Sequence, residues 1–358
     1  MKICFLGDAA SIHIRRWCEF FRDKGDKVSI ISFNKAEIPG VEVHFVGDSL
    51  NINGDGGNIG YLKKVRLIKN LVKEIKPDIL NAHYLTSYGF IGTLINYKPL
   101  IVSTWGSDIL VTPKKNIVYN VLTKFVISKA KLITSDSNFM TKEIISLGGK
   151  SERVITAPMG IDKNKFNNKD EKRDIQTFLS MRTLCDNSNI DCILKAFKIV
   201  LETHNDAKLV ITNSGEKRDN ILNLIKELSL EDNVEYLGFI NRETVIKLLK
   251  TSTVYISIPT SDSTSVNLLE GMASGVFPIV SDLPANREWI INNKNGYILN
   301  SIDEKSLAEL MIESLINDNI KKEAIDINEK IINERAIWDD NMTFVRNHYK
   351  SLLNVDSL

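Results

Sequence analysis

Short unbroken apolar runs alternate with longer stretches whose apolar residues recur every three or four positions. Lys2–Leu6, Val28–Phe33 and Val41–Val46 read as strands, with an amphipathic helix over Ser11–Lys24 that Gly25 ends. Tyr61–Lys76 reads as a helix stopped by Pro77, and Asp78–Ala82, Leu100–Thr104, Leu132–Ser135 and Val154–Ala157 as further strands. After a charged stretch at 163–174 the pattern restarts. Strands are expected at Thr177–Met181, Lys208–Thr212, Val234–Leu237, Val254–Ile258 and Phe277–Val280, and helices at Cys192–Leu201, Arg218–Leu228 and Arg242–Lys250. A last helix covers about Asp339–Leu353. Strand–helix alternation without any repeat predicts doubly wound α/β domains.

A length of 358 residues fits two domains of ordinary size. The net charge is only +1, but residues 1–170 carry +9 and residues 171–358 carry −8. That asymmetry supports a boundary near residue 170, inside the polar stretch expected to be a linker. No run of about 18 apolar residues marks a membrane span, and the start of the chain lacks the apolar core of a signal peptide. Cys4, Cys18, Cys185 and Cys192 have neither metal-ligand nor disulfide-framework spacing, and read as thiols of a reducing cytoplasm. No G-x-G-x-x-G opens the chain and no P-loop occurs, so nicotinamide and P-loop enzymes fit poorly.

The most informative segment is Ser261–Gly275. It reads as a loop, a helix start and a short apolar helix ending at Gly275, with Asp262 and Glu270 bracketing the helix N-terminus. Ser263, Thr264 and Ser265 are candidate N-caps. Unpaired N–H groups and the helix dipole make such a start an anion site. A carboxylate one turn on can accept hydrogen bonds from two neighbouring sugar hydroxyls. Diphosphate and ribose recognition would then share one element, as a nucleotide-sugar site requires.

Two acids separated by seven residues and followed by Gly-Met-Ala-Ser-Gly resemble the signature of the retaining glycosyltransferases of family 4, with Asp262 where Glu is commoner. The resemblance extends over nearly the whole chain. It implies the GT-B fold, an α/β architecture of two Rossmann-like doubly wound domains facing each other across a cleft. The expected domains are an acceptor-binding 1–168, a donor-binding 169–338 and a returning helix 339–358. Pro158–Asp162 resembles the family's run before the interdomain linker.

The resemblance also implies roles. Glu270 would bind the ribose hydroxyls and Asp262 the side of the donor sugar. Arg182 would clamp the diphosphate, aided by backbone N–H groups at Asn267, Leu268 and Leu269 and by the cap Ser265. Gly215 resembles part of the Gly-x-Gly turn below the nucleotide, with Asn213 in place of the first glycine, and Phe239 lies in the loop that resembles the base-holding one. In the first domain, Gly7, Ser11 and His13 belong to a small-residue loop that would reach a phosphate or the acceptor. His83 matches a family histidine near the cleft. Ser103–Asp108 keeps the family acid as Asp108 but carries Trp105 where many members have His, and Asp262, Arg182, Asp108 and His83 are the expected catalytic residues. A lysine common some five residues after the arginine is missing from Cys185–Ile190.

The expected activity is retaining transfer of a hexose-type sugar from a nucleotide-diphosphate donor, UDP-sugar before GDP-sugar, to an acceptor hydroxyl. The setting would be cell-surface polysaccharide or glycoconjugate synthesis in the cytoplasm. No cofactor or metal is expected, because no D-x-D pair and no His/Cys metal spacing occurs. No nucleic-acid partner is expected, because the sequence has no zinc finger, basic run or stacking platform. The basic helix 61–76 reads as a solvated helix packed by its apolar stripe, the alternative being peripheral docking on anionic membrane on behalf of a lipid-linked acceptor. Two rivals share the fold: a nucleotide-sugar 2-epimerase, and a non-catalytic sugar-nucleotide-binding protein favoured by Trp105 and the missing lysine.

Overall fold

The computed structural model describes residues 1–47, 59–168 and 176–355. The Asn- and Gly-rich stretch 47–60, which reads as a loop between the strand Val41–Val46 and the helix Tyr61–Lys76, and the later part of the expected linker fall largely outside the described residues. Two compact units emerge: one formed by Met1–Pro158 with the chain from Asp340 on, the other by Met159–Asp339. The changeover therefore lies at Pro158/Met159 and not at 168/169. The physical reason is backbone pairing, since Ile161 N–H donates to Ala336 O at 2.8 Å and Trp338 N–H donates to Ile161 O at 3.0 Å.

The first unit is built on a parallel sheet of β1 (Lys2–Leu6), β2 (Lys27–Ser32), β3 (Glu42–Phe45), β4 (Ile79–His83), β5 (Leu100–Ser103), β6 (Leu132–Ser135) and β7 (Val154–Thr156). Their order is β3-β2-β1-β4-β5-β6-β7. Central strands read as continuous apolar runs because helices cover both faces: Ile3, Cys4, Phe5 and Leu6 are all buried. The helix Ile12–Asp23 turns Ile14, Trp17, Cys18 and Phe21 inward at helical spacing. Strand order reverses between β1 and β4, and such a switch point opens a crevice at the strands' carboxyl ends.

The helix Trp338–Val355 adds its later residues to this unit. Tyr349 is fully buried, stacks on Phe21 at 5.4 Å and donates its hydroxyl to Asn81 Oδ1 at 2.9 Å. Arg346 donates to both oxygens of Asp26, at 2.7 and 3.0 Å, and the Met1 amino group donates at 2.8 Å. Burial alone would raise the Asp26 pKa, but Arg346 and the amino group outweigh it and hold it below the ordinary value. A depressed folded-state pKa contributes stability that is fully present above the ordinary carboxylate range and is lost as pH falls below it through the folded-state pKa. Asp26→Asn should flatten that acid limb and cost about 2 kcal/mol at neutral pH. Denaturant melts across a pH series check both effects.

The second unit holds β8 (Thr177–Ser180), β9 (Lys208–Thr212), β10 (Val234–Gly238), β11 (Val254–Ser257), β12 (Phe277–Ser281) and β13 (Tyr297–Leu299), all parallel, in the order β10-β9-β8-β11-β12-β13. This is the Rossmann order, with its switch point between β8 and β11. In this unit β13 and the helices Glu304–Ile316 and Asp318–Arg335 carry no sequence assignment, and in the first unit the same is true of the helices Phe90–Ile95, Ile117–Lys129 and Asn138–Ser146.

Candidate functional site

In the second unit the switch point brings the expected residues together. Arg182 leaves the end of β8, and the loop after β11 carries Asp262. The two meet as an ion pair at 2.6 Å, both largely enclosed. Burial alone would lower the Arg182 pKa, but the Asp262 carboxylate more than offsets it and keeps the guanidinium charged. The next helix runs over Val266–Ala273, with Ser265 as N-cap: its Oγ accepts the Leu268 N–H at 3.4 Å. Gly275 closes the helix at φ 75°, a left-handed conformation that glycine adopts without penalty. The Asn267 side chain donates to Met181 O at 3.0 Å and so fastens this helix start to the exit of β8.

One expectation needs correction here. The Leu269 N–H already donates to Ser265 O at 3.2 Å, and that of Leu268 to the cap, so neither is available to an anion. The first-turn donors not taken up among the described residues are those of Val266 and Asn267. Gly215 also has a backbone reason for being glycine. A Cβ there would collide with Leu184 O, because the turn packs on Leu184, whose N–H donates to Ser214 O at 3.1 Å. The neighbouring Asn213 N–H donates to Gly238 O at 2.6 Å, which joins the loops after β9 and β10 and leaves Phe239 81% exposed at their rim.

Glu270 is fully enclosed, and the sequence reading missed its partner. Arg242, at the start of the helix Arg242–Thr251, grips both carboxylate oxygens, Nη1 to Oε2 at 3.0 Å and Nη2 to Oε1. Its guanidinium also stacks on Phe166, 4.5 Å from the ring centre. A pair spanning 28 positions leaves no local sequence signal. The stretch lacking the family lysine serves another purpose. Asn187 Nδ2 donates to Ser261 O and its Oδ1 accepts the Ser261 N–H, both at 2.9 Å, while Asn189 Nδ2 donates to Ile258 O at 2.8 Å. These two asparagines clamp the loop that carries Asp262.

In the first unit a cavity of about 230 Å³ opens at the switch point, lined among others by Asp8, Ser11, Asn34, His83, Tyr84 and Trp105. Gly7 turns out of β1 with its N–H on Ile31 O, and Ser11 caps the following helix without a side-chain hydrogen bond. His13 lies in the first turn of that helix and packs against Trp105 at 5.3 Å. His83 ends β4 and is fully buried, which pushes its pKa down to about 3 and keeps the imidazole neutral. The Asn81 amide donates to Ser103 Oγ, so its Oδ1 accepts, and His83 Nε2 at 3.1 Å must carry the proton. The Nδ1 lone pair and the Trp105 indole N–H have no partner among the described residues.

Asp108 was expected among the reacting groups, and the structure corrects that. It is fully buried, and both its oxygens are spent on backbone, accepting the Trp105 N–H at 2.9 Å and the Leu85 N–H at 2.8 Å. Burial lifts its pKa to about 6 against the pull of these donors. The residue holds the loops after β4 and β5 in place. The same loops are joined again by Tyr84 Oη and Ser107 Oγ at 2.9 Å.

Comparison with known proteins bears directly on this arrangement. The family described as glycosyl transferase 4-like matches residues 2–137, and the family described as glycosyl transferases group 1 matches residues 161–331. The chain belongs to the group 1 glycosyltransferases. Its fold is GT-B: Anabaena HepE, crystallised with UDP-glucose, superposes with a TM-score of 0.82 at 14% identity over 98% of this chain and 100% of that one. An uncharacterised glycosyltransferase of Methanocaldococcus jannaschii is 29% identical over 49% of this chain, which spans 45% of that relative's length. The Staphylococcus aureus capsular polysaccharide biosynthesis glycosyltransferase CapM is 24% identical over 91% of both chains. In this glycosyltransferase, the segments matching the group 1 family include Arg182, Arg242, Asp262 and Glu270.

Proposed function

We propose that this glycosyltransferase moves a hexose-type sugar from a UDP-sugar to an acceptor hydroxyl with retention of configuration. The observation that carries the reading is the Arg182–Asp262 pair at the β8/β11 switch point, beside the first turn of the helix Val266–Ala273. A diphosphate is a natural competitor for that arginine. It would exchange with Asp262 on the guanidinium, whose planar fork suits phosphate oxygens, and accept the N–H groups of Val266 and Asn267. Asp262, so released, would turn to hydroxyls of the transferred sugar. Glu270, held by Arg242, would accept the two ribose hydroxyls, and Phe239 would flank the base.

Stabilising the departing diphosphate would be the main catalytic contribution, with positioning of the acceptor second. The acceptor would enter the first unit's cavity, where His83 Nδ1 can accept a hydrogen bond from a hydroxyl and Trp105 can donate one. UDP is favoured over GDP by the likeness to HepE bound to UDP-glucose. A polysaccharide or glycoconjugate acceptor is favoured by the likeness to CapM. Four unpaired cysteines fit a cytoplasmic setting. No metal takes part in this reading, so transfer should persist undiminished in chelator.

The test is incubation with UDP-, GDP- and ADP-sugars and an acceptor panel, with proton NMR of the product. An axial donor sugar appearing as an axial product, from UDP-sugar alone, is expected. An inverted anomer overturns retention, and a sugar released already epimerised without acceptor favours the 2-epimerase.

A further inference from the structure

The helix Ile117–Lys129 is apolar on the wrong side. Its inner face, Thr123, Val126 and Ile127, packs on the first unit, as a surface helix should. Its outer face is nevertheless apolar too: Ile117 is 75% exposed, Val118 69%, Val121 59% and Phe125 40%. Ile117, Val121 and Phe125 follow the i, i+4, i+8 spacing of one helical stripe, and Val118 adjoins it three positions before Val121. Monomeric soluble proteins rarely leave such a contiguous stripe to water.

The charge along the segment that carries the stripe is one-signed, with Glu143 of the following helix meeting it at Lys114, 3.8 Å away. Between Asp108 and Asp136 the sequence holds Lys114, Lys115, Lys124, Lys129 and Lys131 and no carboxylate. Lys124 and Lys129 are exposed on the helix itself, and the Lys129 ammonium lies 5.8 Å from the centre of the Phe125 ring. The helix follows β5, so its N-terminal end lies at the carboxyl ends of the strands, on the same rim as His83 and Trp105. By contrast, the basic helix Val65–Ile75 turns Ile68, Val72 and Ile75 inward and shows only Leu67 as a large exposed apolar residue.

We propose that the outer face of the helix Ile117–Lys129 docks on an anionic lipid surface. Its apolar stripe enters the boundary between headgroups and acyl chains, and the lysines stay at the lipid phosphates. A second copy of this chain is a poorer occupant, because a two-fold contact would set Lys124 and Lys129 against their own counterparts, while the ion pair of Lys114 with Glu143, at 3.8 Å, engages a lysine that lies before the helix. The surface lies outside the sugar-transfer machinery, and its test does not depend on that reading.

The experiment is flotation of the full chain with vesicles of phosphatidylcholine alone and of phosphatidylcholine with phosphatidylglycerol. Binding is expected only to the anionic vesicles, weakening as salt rises. The double variant Val118→Asp/Val121→Asp should lose about tenfold or more in partitioning, and Lys124→Glu/Lys129→Glu should lose the anionic preference. Leu67→Asp should float as the unchanged protein does. Because the altered side chains are exposed, melting temperatures should not move. Absence of binding to anionic vesicles, or binding that both double variants retain, overturns the proposal. So does a dimer in sedimentation equilibrium that Val118→Asp/Val121→Asp dissociates, since the face would then pair with itself.

Discussion

Arg182→Ala is expected to lower kcat about 10²–10³-fold, the loss seen when one group stabilising developing negative charge is removed from an enclosed site. The arginine stands at the exit of β8, 2.6 Å from Asp262, with most of its surface covered. Its permanent charge and two parallel N–H donors match the oxygens of a leaving diphosphate. Arg182→Lys should recover little, because an ammonium keeps the charge and loses the fork. Folding should suffer less than catalysis. The Asp262 side chain is 23% exposed, so water can solvate it once its partner is gone. Steady-state kinetics with a saturating UDP-sugar separates the two effects, and a kcat within threefold or so of the unchanged enzyme would remove Arg182 from the leaving-group site.

Arg242→Ala should act in the opposite proportion, mainly on stability. Glu270 has no exposed side-chain surface, and Arg242 supplies bidentate hydrogen bonds to it. Removing one partner of a buried ion pair costs about 3–5 kcal/mol when both partners are fully enclosed. The Arg242 side chain is 41% exposed, so water partly replaces it and a loss of about 2–3 kcal/mol is expected. Loss of the stacking on Phe166 adds a smaller amount. Nucleotide affinity should fall as well, since Glu270 would no longer be held for the ribose. Arg242→Lys restores a charge without the second hydrogen bond and should recover about half of the stability. Denaturant unfolding of the two variants checks the order, and an unchanged midpoint for Arg242→Ala would show that Glu270 is satisfied by other groups.

Much of the fold was legible because parallel strands covered on both faces leave a plain mark. Ile3–Leu6 and Val254–Ile256 are unbroken apolar runs, and the structure buries every one of those residues. Elements without that mark were lost. The helix Asp318–Arg335 buries only Ala324, Asn328 and Ile332, and its stripe is interrupted by an asparagine whose burial depends on a 2.8 Å bond with Asn295. The strand Tyr297–Leu299 is too short to show a pattern. The motif residues were legible as a set: Arg182 and Asp262 meet at the switch point of the second unit, and Glu270 lies on the helix that follows Asp262. Their partners were not, because Arg242 and Asn187 reach across long stretches of chain. Asp108 shows the converse failure, where an acid that looks reactive in sequence has both oxygens committed to backbone.

The measurement that tests the central claim most directly is calorimetric titration of UDP into the intact protein and into Glu270→Gln. The amide keeps the shape of the carboxylate but can accept with only one oxygen, and it loses the charge that strengthens both ribose bonds. Binding to the intact protein and a fall of about 10²-fold in the variant is the predicted result. Equal affinity in both proteins would place the nucleotide away from the helix Val266–Ala273 and contradict the account.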